Sequence, residues 1–409
     1  MSLASVKSSK FFHSSTFLIV TACLLLMFSF GYRSGFGLFL SPISEDNGWS
    51  RDIMSFSLAL QNLVWGVVAV FAGGLADRYG NVRVVLGGVV LYSLGMYLMS
   101  VTDSIWMLHT SAGLIVGSGI AGTAYGIVLP AMARAVGEER RQWALGLGTA
   151  AGSMGQFLVV PISFQLMDSY GWVMALQIMA ASGIIMALLA IPLAPYSGAH
   201  DTSVKGPTQG VWDALKEAMR HHSFLLLVAG FYVCGFQLAF VTVHMPAYLV
   251  DLGFGPEVGA WAIALIGLCN VVGSYLSGYL SGRFPKREAL VVIYVARAIA
   301  TTVFLLLPIT LTSVLIFSAV LGFFWLATVP PTSGLVAVMF GTRYMAMLYG
   351  IVFLGHQLGS FTGVWLGGYL YEATGSYDPV WWISVLLALL AALAHWPIKE
   401  RPVARLQGV

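Results

Sequence analysis

The sequence predicts an all-α membrane protein with twelve transmembrane helices arranged in two six-helix bundles. Of its 409 residues, 58% are hydrophobic and only 9% are charged, whereas a soluble domain carries about 25% charged residues. Apolar runs of about 20 residues, the length at which a helix crosses a bilayer, recur along the whole chain. One long polar interval, residues 195–222, leaves six of these runs on each side. The lipid bilayer is therefore the first expected partner.

Each helix is predicted from one apolar run and from the polar clusters that flank it. Charged and turn-forming residues separate most runs, whereas the ninth and tenth runs are divided only by residues 308–313. The predicted spans are 16–42, 52–76, 82–102, 106–134, 142–168, 172–194, 223–250, 257–282, 288–310, 311–338, 343–371 and 378–397. They define an N-terminal bundle (1–197), a cytoplasmic central loop (198–222) and a C-terminal bundle (223–409).

The orientation follows from the basic residues. Most of the 20 lysines and arginines fall in segments on the same side as the N-terminus, and positive charge is retained on the cytoplasmic side. We therefore expect a multi-pass protein of the cytoplasmic (inner) membrane with both termini cytoplasmic. In the central loop, Trp212, Leu215 and Met219 share a face at helical spacing. This indicates either a short amphipathic helix along the inner surface or a plain linker.

Arg33 is the main candidate for a functional residue because it lies deep in the first apolar run. A charge in a spanning helix is costly, so it usually faces a bundle interior or a watery cavity. A guanidinium group keeps its charge and offers paired donors, which suits an organic anion that leaves water. The alternative is a structural arginine paired with Glu45 or Asp46. Arg297, in the ninth run, is expected to bond to helix-end carbonyls instead.

The loop after the second run carries a motif that has a degenerate copy in the second half. The two are Gly73-x-Leu75-Ala76-Asp77-Arg78-x-Gly80-x-x-Arg83 and Gly278-x-Leu280-Ser281-Gly282-Arg283. The first resembles the loop signature of the major facilitator superfamily, whose fold is two six-helix bundles. The resemblance implies a gate in which a glycine allows close helix approach and a charge network locks the bundles on the inner side. The predicted gate residues are Gly73, Asp77, Arg78 and Arg83. Ordinary topogenic charge is the alternative for the arginines.

Further stretches resemble the monocarboxylate transporter family, more specifically its bacterial organic-anion members. They are Arg33 with Leu38-Phe39, Gly122-Thr-Ala-Tyr125-Gly126, Arg141-x-x-Ala144-x-Gly146, Ala151-Gly152-Ser153-x-Gly155, His244-Met-Pro-Ala-Tyr-Leu and Gly355-His356-Gln357-Leu-Gly359. The resemblance implies that Arg33 is the substrate cation and that Tyr125 contacts the substrate. Where many members carry an Asp and, four residues later, an Arg, this chain has Asn270 and Ser274. Because no carboxylate lies within a span, proton exchange would have to use histidine.

Other polar and aromatic residues within the runs are candidates to line the same cavity. His244 precedes Pro246, which removes a backbone donor and bends the helix, a suitable place for a gate. A lone buried histidine is often only a satisfied core residue, and a buried aromatic side chain usually packs. Together with Arg33, the predicted substrate-binding residues are Tyr125, His244, Asn270, Trp325, His356, Gln237 and Gln61.

The sequence thus predicts a secondary active transporter and not an enzyme. Its expected cargo is a small organic anion, a monocarboxylate in the first place, moved by alternating access with proton symport. The alternatives are an exporter of a larger amphiphilic metabolite or drug and a non-transporting membrane sensor. No nucleotide-binding loop, nucleophile elbow or metal-ligand spacing occurs in the sequence, so no cofactor, metal or nucleic-acid partner is expected. Cys23, Cys234 and Cys269 all lie in apolar runs and predict no disulfide framework.

Overall fold

The predicted apolar runs fold as helices. The computed structural model describes residues 15–136, 140–196, 210–341 and 344–406, and within these ranges it contains helices and their connections but no strand. A helix is favoured in lipid because it satisfies its backbone polar groups within one segment. The all-α membrane class is confirmed.

The N-terminal half contains nine α-helices in its described residues, 15–136 and 140–196, and several of them join end to end. They are Ser15–Gly35 (α1), Leu40–Asn47 (α2), Arg51–Tyr79 (α3), Asn81–Ser100 (α4), Ile105–Leu108 (α5), Val116–Thr123 (α6), Tyr125–Val136 (α7), Arg141–Ala181 (α8) and Gly183–Ala190 (α9). A 3₁₀ turn, Phe36–Phe39, joins α1 to α2, and a π-helical segment, His109–Ile115, joins α5 to α6. The long α8 turns sharply at Gly171, whose φ of 78° is open to glycine at little cost.

The C-terminal half contains eight helices in the described residues. They are Val211–Arg220 (α10), His222–Asp251 (α11), Pro256–Ser281 (α12), Lys286–Leu306 (α13), Leu311–Phe323 (α14), Val329–Phe340 (α15), Met345–Thr374 (α16) and Asp378–His395 (α17). The amphipathic alternative for the central loop is confirmed, since α10 forms there and leaves Trp212 and Met219 exposed. The boundary between residues 197 and 209 lies outside the described residues, so the predicted division into bundles stays a prediction.

Nine stretches of the described chain are long and apolar enough to cross a membrane. One of them, Trp143–Ala194, has 52 residues and contains two of the predicted spans, divided at Gly171. The predicted span at 311–338 is interrupted between α14 and α15, both too short for that measure. Membrane crossing is therefore supported, and the number twelve remains a prediction.

The helices pack closely within each half and across the middle of the molecule. In the N-terminal half α1 packs on α8, and in the C-terminal half α11 packs on α16. A Cβ atom at Gly359 of α16 would overlap the Tyr232 carbonyl oxygen of α11, so these two helices touch backbone to backbone. The halves contact each other through α3 against α16 and α8 against α12. We call this interface between the halves the seam; it consists of α3 against α16 and α8 against α12.

One end of this seam is closed by an ion pair. Arg51, at the start of α3, places its two terminal nitrogens 2.6 and 2.9 Å from the carboxylate oxygens of Asp251, at the end of α11. The Arg51 backbone N–H also donates to Glu372 of α16 over 2.8 Å, and the guanidinium group lies 4.5 Å from the Tyr371 ring centre. The N-terminal half is therefore bonded to two helices of the C-terminal half at this end.

The other end of the seam, which we call the open end, has unfilled space beside several of its glycines. A Cβ atom added at Gly73, Gly74, Gly146 or Gly350 would meet no atom within 4 Å. Leu75, in the same region, is 49% exposed. An ion pair thus crosses the seam at the Arg51 end, whereas the Arg78 end, which the charge distribution predicts to be cytoplasmic, has open space beside these glycines.

Candidate functional site

The site is built around Arg33 in the last turn of α1. The 3₁₀ turn follows directly after α1. In this turn Gly37 approaches the Thr242 carbonyl of α11 so closely that a Cβ would overlap it. Arg33 Nη2 donates to Asn62 Oδ1 over 3.0 Å. Its guanidinium group stacks 4.9 Å from the centre of the Trp65 ring. Asn62 and Trp65 are three residues apart on α3 and so share one helix face.

Arg33 has donors left over. Its Nε is buried and has no hydrogen-bond partner, and no ion pair to a carboxylate forms within the described part of the chain. Asp46, which we considered as a structural partner, instead accepts a hydrogen bond from Trp172 Nε1 at 2.5 Å. A buried guanidinium group with an unpartnered N–H is costly. An anion bound at this position would neutralise the guanidinium charge and accept a hydrogen bond from Nε.

A small cavity beside Arg33 lies between the two halves. Its volume is about 10 Å³, which holds roughly one water molecule. Its walls are Phe36, Leu58, Gln61 and Asn62 from the N-terminal half and Ala239, Thr242 and Val243 from α11. Residues of both halves therefore enclose the space next to the guanidinium group.

Aromatic rings cover the other side. Trp65 contacts Phe353 of α16, with ring centres 5.4 Å apart, and Phe30 of α1 at 6.0 Å. Phe30 in turn stacks on Tyr125 of α7 at 4.0 Å, and the Tyr125 hydroxyl donates to the Thr149 carbonyl over 3.3 Å. The predicted Tyr125 thus belongs to the aromatic group around Arg33, with the Trp65 and Phe30 rings between it and the guanidinium group.

A chain of hydrogen bonds connects Arg33 to the C-terminal half. Gln357 Nε2 of α16 donates to the Asn62 carbonyl oxygen over 2.9 Å, and Gln357 Oε1 lies 2.9 Å from His356 Nδ1. His356 is only 6% exposed. The predicted His356 therefore reaches Arg33 through two intervening amide residues and does not contact it directly.

Asn62, Gln357 and Trp65 are the residues that the predicted binding set missed. The prediction named Gln61, which lines the cavity but turns its amide toward the π-helical segment and donates to the Ala112 carbonyl. Adjacent residues on a helix point about 100° apart, so Gln61 and Asn62 cannot face the same partner. The sequence does contain a signal for these residues, since Asn62 and Trp65 are three residues apart and so lie on the same helix face.

Two other predicted residues gather around a second buried arginine. Arg297 of α13 is fully buried and donates to the carbonyls of Phe324, at 2.6 Å, and Trp325 in the break between α14 and α15. Arg297 Nη1 also donates to Gln237 Oε1 over 3.4 Å. The expected structural role of Arg297 is confirmed. Trp325 and Gln237 support this arginine and lie apart from Arg33.

Asn270 and His244 are also bonded away from Arg33. Asn270 Nδ2 donates to Ser153 Oγ across the seam, and Asn270 Oδ1 accepts from Ser274 Oγ, both over 2.8 Å. His244 is fully buried within the C-terminal half, where its Nε2 lies 2.8 Å from the Val364 carbonyl oxygen. Their predicted substrate contacts remain untested predictions.

The comparison with known families agrees with this geometry. A family model described as Major Facilitator Superfamily matches residues 22–361. The chain belongs to the Major Facilitator Superfamily. It is accordingly a membrane transporter, as predicted, and not an enzyme.

Curated relatives narrow the resemblance within the superfamily. The chain is 26% identical to monocarboxylate transporter 13 of Rattus norvegicus over 353 residues, which cover 85% of this chain and 80% of the relative. It is 22% identical to the uncharacterized MFS-type transporter YhjX of Escherichia coli K12, with 85% and 87% of the two chains covered. The predicted resemblance to the monocarboxylate transporter family is confirmed.

Solved transporters of the superfamily share the fold. One is a bacterial homolog of the human lysosomal transporter Spinster in an inward-facing and unoccupied conformation, with a TM-score of 0.70, 16% identity and coverage of 93% of this chain and 96% of that one. Another is the fucose:proton symporter FucP of E. coli, with a TM-score of 0.63, 15% identity and coverage of 95% and 100%. At these identities the likeness concerns the fold alone.

The superfamily loop motif lies at the open end of the seam. Gly73 faces open space, and Arg78 and Arg83 are exposed, with the Arg78 guanidinium group 5.3 Å from the Tyr79 ring. The side chain of Asp77 lies outside the described part of the structure. The locking role of these four residues in this transporter remains a prediction for the state in which the open end closes.

Proposed function

We propose that this transporter carries a small organic anion, a monocarboxylate in the first place, across the cytoplasmic membrane by alternating access with proton symport, and that both termini are cytoplasmic. The observation that carries the proposal is Arg33, a guanidinium group between the halves with a buried, unpartnered Nε. The named relatives among monocarboxylate transporters favour the same class of cargo. FucP, which is named a proton symporter, shares the fold.

The proposed cycle uses the two ends of the seam in turn. An anion enters at the open end, binds Arg33 beside the Trp65 and Tyr125 rings, and takes the hydrogen bonds that the arginine now lacks. The open end then closes as the loop motif engages, and the Arg51 pair at the opposite end separates. Each half moves as a unit, with α1 packed on α8 in one half and α11 packed on α16 in the other.

The test is uptake of radiolabelled pyruvate by proteoliposomes with an inward proton gradient. An anion bound by a buried guanidinium group gains about 2–3 kcal/mol from charged hydrogen bonds. We therefore expect Arg33→Gln to lower uptake by roughly 30-fold or more, while Arg33→Lys keeps part of it. Arg401→Gln, at an exposed arginine near the C-terminus, is the control and should leave uptake unchanged. Equal uptake by Arg33→Gln and the wild type would refute the binding role.

A groove on the flank of the seam favours a second candidate, an exporter of an amphiphilic cation. It has a volume of about 240 Å³ near the closed end and lies between the halves. Apolar side chains form most of its wall, and Glu45 and Asp168 are the acidic residues in it. The test is counterflow of a labelled amphiphilic cation in proteoliposomes that contain no pyruvate. If tetraphenylphosphonium inhibits this counterflow and carboxylates have no effect on it, the exporter is correct and the anion carrier is wrong.

A further inference from the structure

The C-terminal half holds a buried polar cluster that the anion site does not use. It consists of Arg297 on α13, Cys234 on α11 and His356 on α16, which are 0%, 0% and 6% exposed. A series of hydrogen bonds through Gln357 and Asn62 connects His356 of this cluster to Arg33. Its three side chains are a fixed cation, a thiol and an imidazole, and the thiol and the imidazole can each bind or release a proton.

Cys234 is placed to carry negative charge. Arg297 forms no ion pair with a carboxylate in the described residues, and the carbonyls that it bonds supply only dipoles. Its Nη1 lies 3.5 Å from Cys234 Sγ, and Thr328 Oγ1 lies 3.2 Å from the same sulfur. The Arg297 donor favours a thiolate over a thiol at that sulfur, and the Thr328 hydroxyl can donate a second hydrogen bond to it. A thiolate there would neutralise a guanidinium group that is otherwise buried without a counter-charge.

His356 is placed to exchange a proton with that sulfur. Gln357 donates through Nε2 to the Asn62 carbonyl, so Gln357 Oε1 must face His356 Nδ1 and accept from it. The neutral imidazole therefore carries its hydrogen on Nδ1, and Nε2 is the atom that can bind a further proton. The His356 backbone packs against Gly235, the residue after Cys234 on α11, and the Phe231 and Phe353 rings lie 5.0 and 5.8 Å from the imidazole.

We propose that Cys234 and His356, with Arg297 as their fixed counter-charge, form the proton-binding site of this transporter. When the S–H bond of Cys234 breaks, the proton moves to His356 Nε2, an N–H bond forms, and no electron is transferred. The other titratable groups that face this pair are the buried phenols of Tyr294 and Tyr349, and no carboxylate of the described chain is among them.

The link to Arg33 gives the proton its coupling role, and this step rests on the proposed anion transport. An anion on Arg33 subtracts one charge from the buried region, and a proton on the Cys234–His356 pair adds one. The empty and the doubly loaded transporter thus carry the same net charge, whereas either singly loaded form does not. Moving an uncompensated charge through a low-dielectric interior is costly, so the two equal-charge forms cross most readily.

The first test needs no substrate. A thiolate absorbs ultraviolet light at wavelengths where a protonated thiol does not, so the wild-type spectrum minus that of Cys234→Ser in detergent isolates Cys234. At about pH 7 an ordinary thiol, with a pKa of about 8.5, is mostly protonated. We expect the Cys234 difference to show thiolate absorbance at that pH and to lose it on acidification, and His356→Asn to shift its midpoint. Cys269→Ser, the matched control, should give no such difference. A Cys234 difference equal to that of Cys269 at every pH overturns the proposal.

The second test separates coupling from transport in proteoliposomes. Proton-driven accumulation of pyruvate should fall about tenfold in Cys234→Ser, because a loss of one pKa unit at the proton-binding site lowers the proton occupancy of that site tenfold. Pyruvate–pyruvate exchange, which needs no net proton movement, should stay within about twofold and shows that the variant is folded. Full accumulation by Cys234→Ser, or wild-type accumulation that ignores the proton gradient, contradicts the proposal while anion transport stands. Absence of pyruvate exchange in the wild type contradicts the proposed function instead, and the absorbance result still decides this proposal.

Discussion

Two buried arginines occupy opposite chemical situations in this transporter. Arg297 is surrounded by acceptors, because the broken helix between α14 and α15 turns its Phe324 and Trp325 carbonyls toward it. Arg33 has one amide oxygen, one aromatic face and an unpartnered Nε. The donors of the first arginine are thus satisfied by the fold, whereas the second keeps an unpartnered donor, although both lie in spanning helices.

The same substitution should therefore have different effects at the two positions. Arg297→Leu leaves two buried carbonyls without donors, and each unpaired group costs about 1–3 kcal/mol. We expect a clearly lower melting temperature of the purified protein in detergent. Arg33→Leu breaks one hydrogen bond, to Asn62 Oδ1, but also removes an unpartnered Nε, so its melting temperature should fall less than that of Arg297→Leu. Equal losses at both positions would mean that Arg33 is structural too.

At this scale the sequence predicts residue types better than partners. A lone arginine in an apolar run already marks Arg33 and Arg297 as important. The choice between Gln61 and Asn62, however, depends on how α3 is rotated against α1. That rotation comes from packing along the whole helix, and no local pattern encodes it.

At the scale of elements, the tightest contact is between α11 and α16. Several glycines of α16 lie against the α11 backbone, and for three of them a Cβ would overlap or crowd a backbone atom: Gly355, Gly359 and Gly363. Small residues allow this approach in a membrane, where packing and not the hydrophobic effect holds helices together. The two helices that carry Cys234 and His356 are thereby fixed relative to each other.

Alanine substitution along α16 tests this contact. Gly359→Ala would push a methyl group into the Tyr232 carbonyl oxygen, and such overpacking costs about 1–3 kcal/mol. Gly350→Ala, on the same helix, meets no atom within 4 Å and gains helix propensity of up to about 1 kcal/mol. Thermal unfolding in detergent should show a lower midpoint for Gly359→Ala only. A similar midpoint for both variants would show that the helices can separate without loss.

The elements themselves were predictable except where tertiary contacts interrupt them. Hydropathy located the apolar helices because the bilayer imposes a minimum length on each one. It predicted one continuous helix over 311–338, whereas the chain breaks between Phe323 and Val329. The break persists because Arg297, distant in sequence, satisfies the carbonyls that a helix would have used. The hydropathy pattern of a single sequence does not reveal a partner that is as distant along the chain as Arg297.

At the scale of the whole molecule, the closed end of the seam depends on few contacts. Arg51 joins the halves through Asp251 and Glu372, and Asn270 and Gln357 add uncharged hydrogen bonds nearer the middle. Asp251 and Arg51 are 28% and 16% exposed, so their attraction is weakened by solvent. Such a lock is weak enough to open in each transport cycle.

Breaking this lock should shift the molecule toward the opposite state. We expect Arg51→Ala to remove about 1 kcal/mol of bias, a roughly fivefold change in the ratio of the two states. Spin labels at Leu75 and Phe284, exposed on opposite halves, should then report more of the shorter distance as the open end closes. Arg405→Ala breaks an ion pair with Glu217 inside the C-terminal half and should leave the distances unchanged.

A charge exchange completes that experiment. The double variant Arg51→Asp with Asp251→Arg restores an attractive pair and should recover the wild-type distances if this pair is the lock. Unaltered distances in Arg51→Ala would assign the closed end to the helix packing of α3 on α16 instead. The sequence alone does not predict which end is closed, because one sequence specifies both states of an alternating-access protein and their balance is a small free-energy difference.

The broken helix also has a consequence for biosynthesis. Residue 297 emerges from the ribosome before residues 324 and 325, so the guanidinium group enters the membrane before its acceptors exist. An unshielded cation at that depth raises the insertion cost of α13 by about 2.5–3.5 kcal/mol. Chains truncated before α14 should consequently leave α13 poorly inserted, and the translocon must retain it until the next two helices arrive.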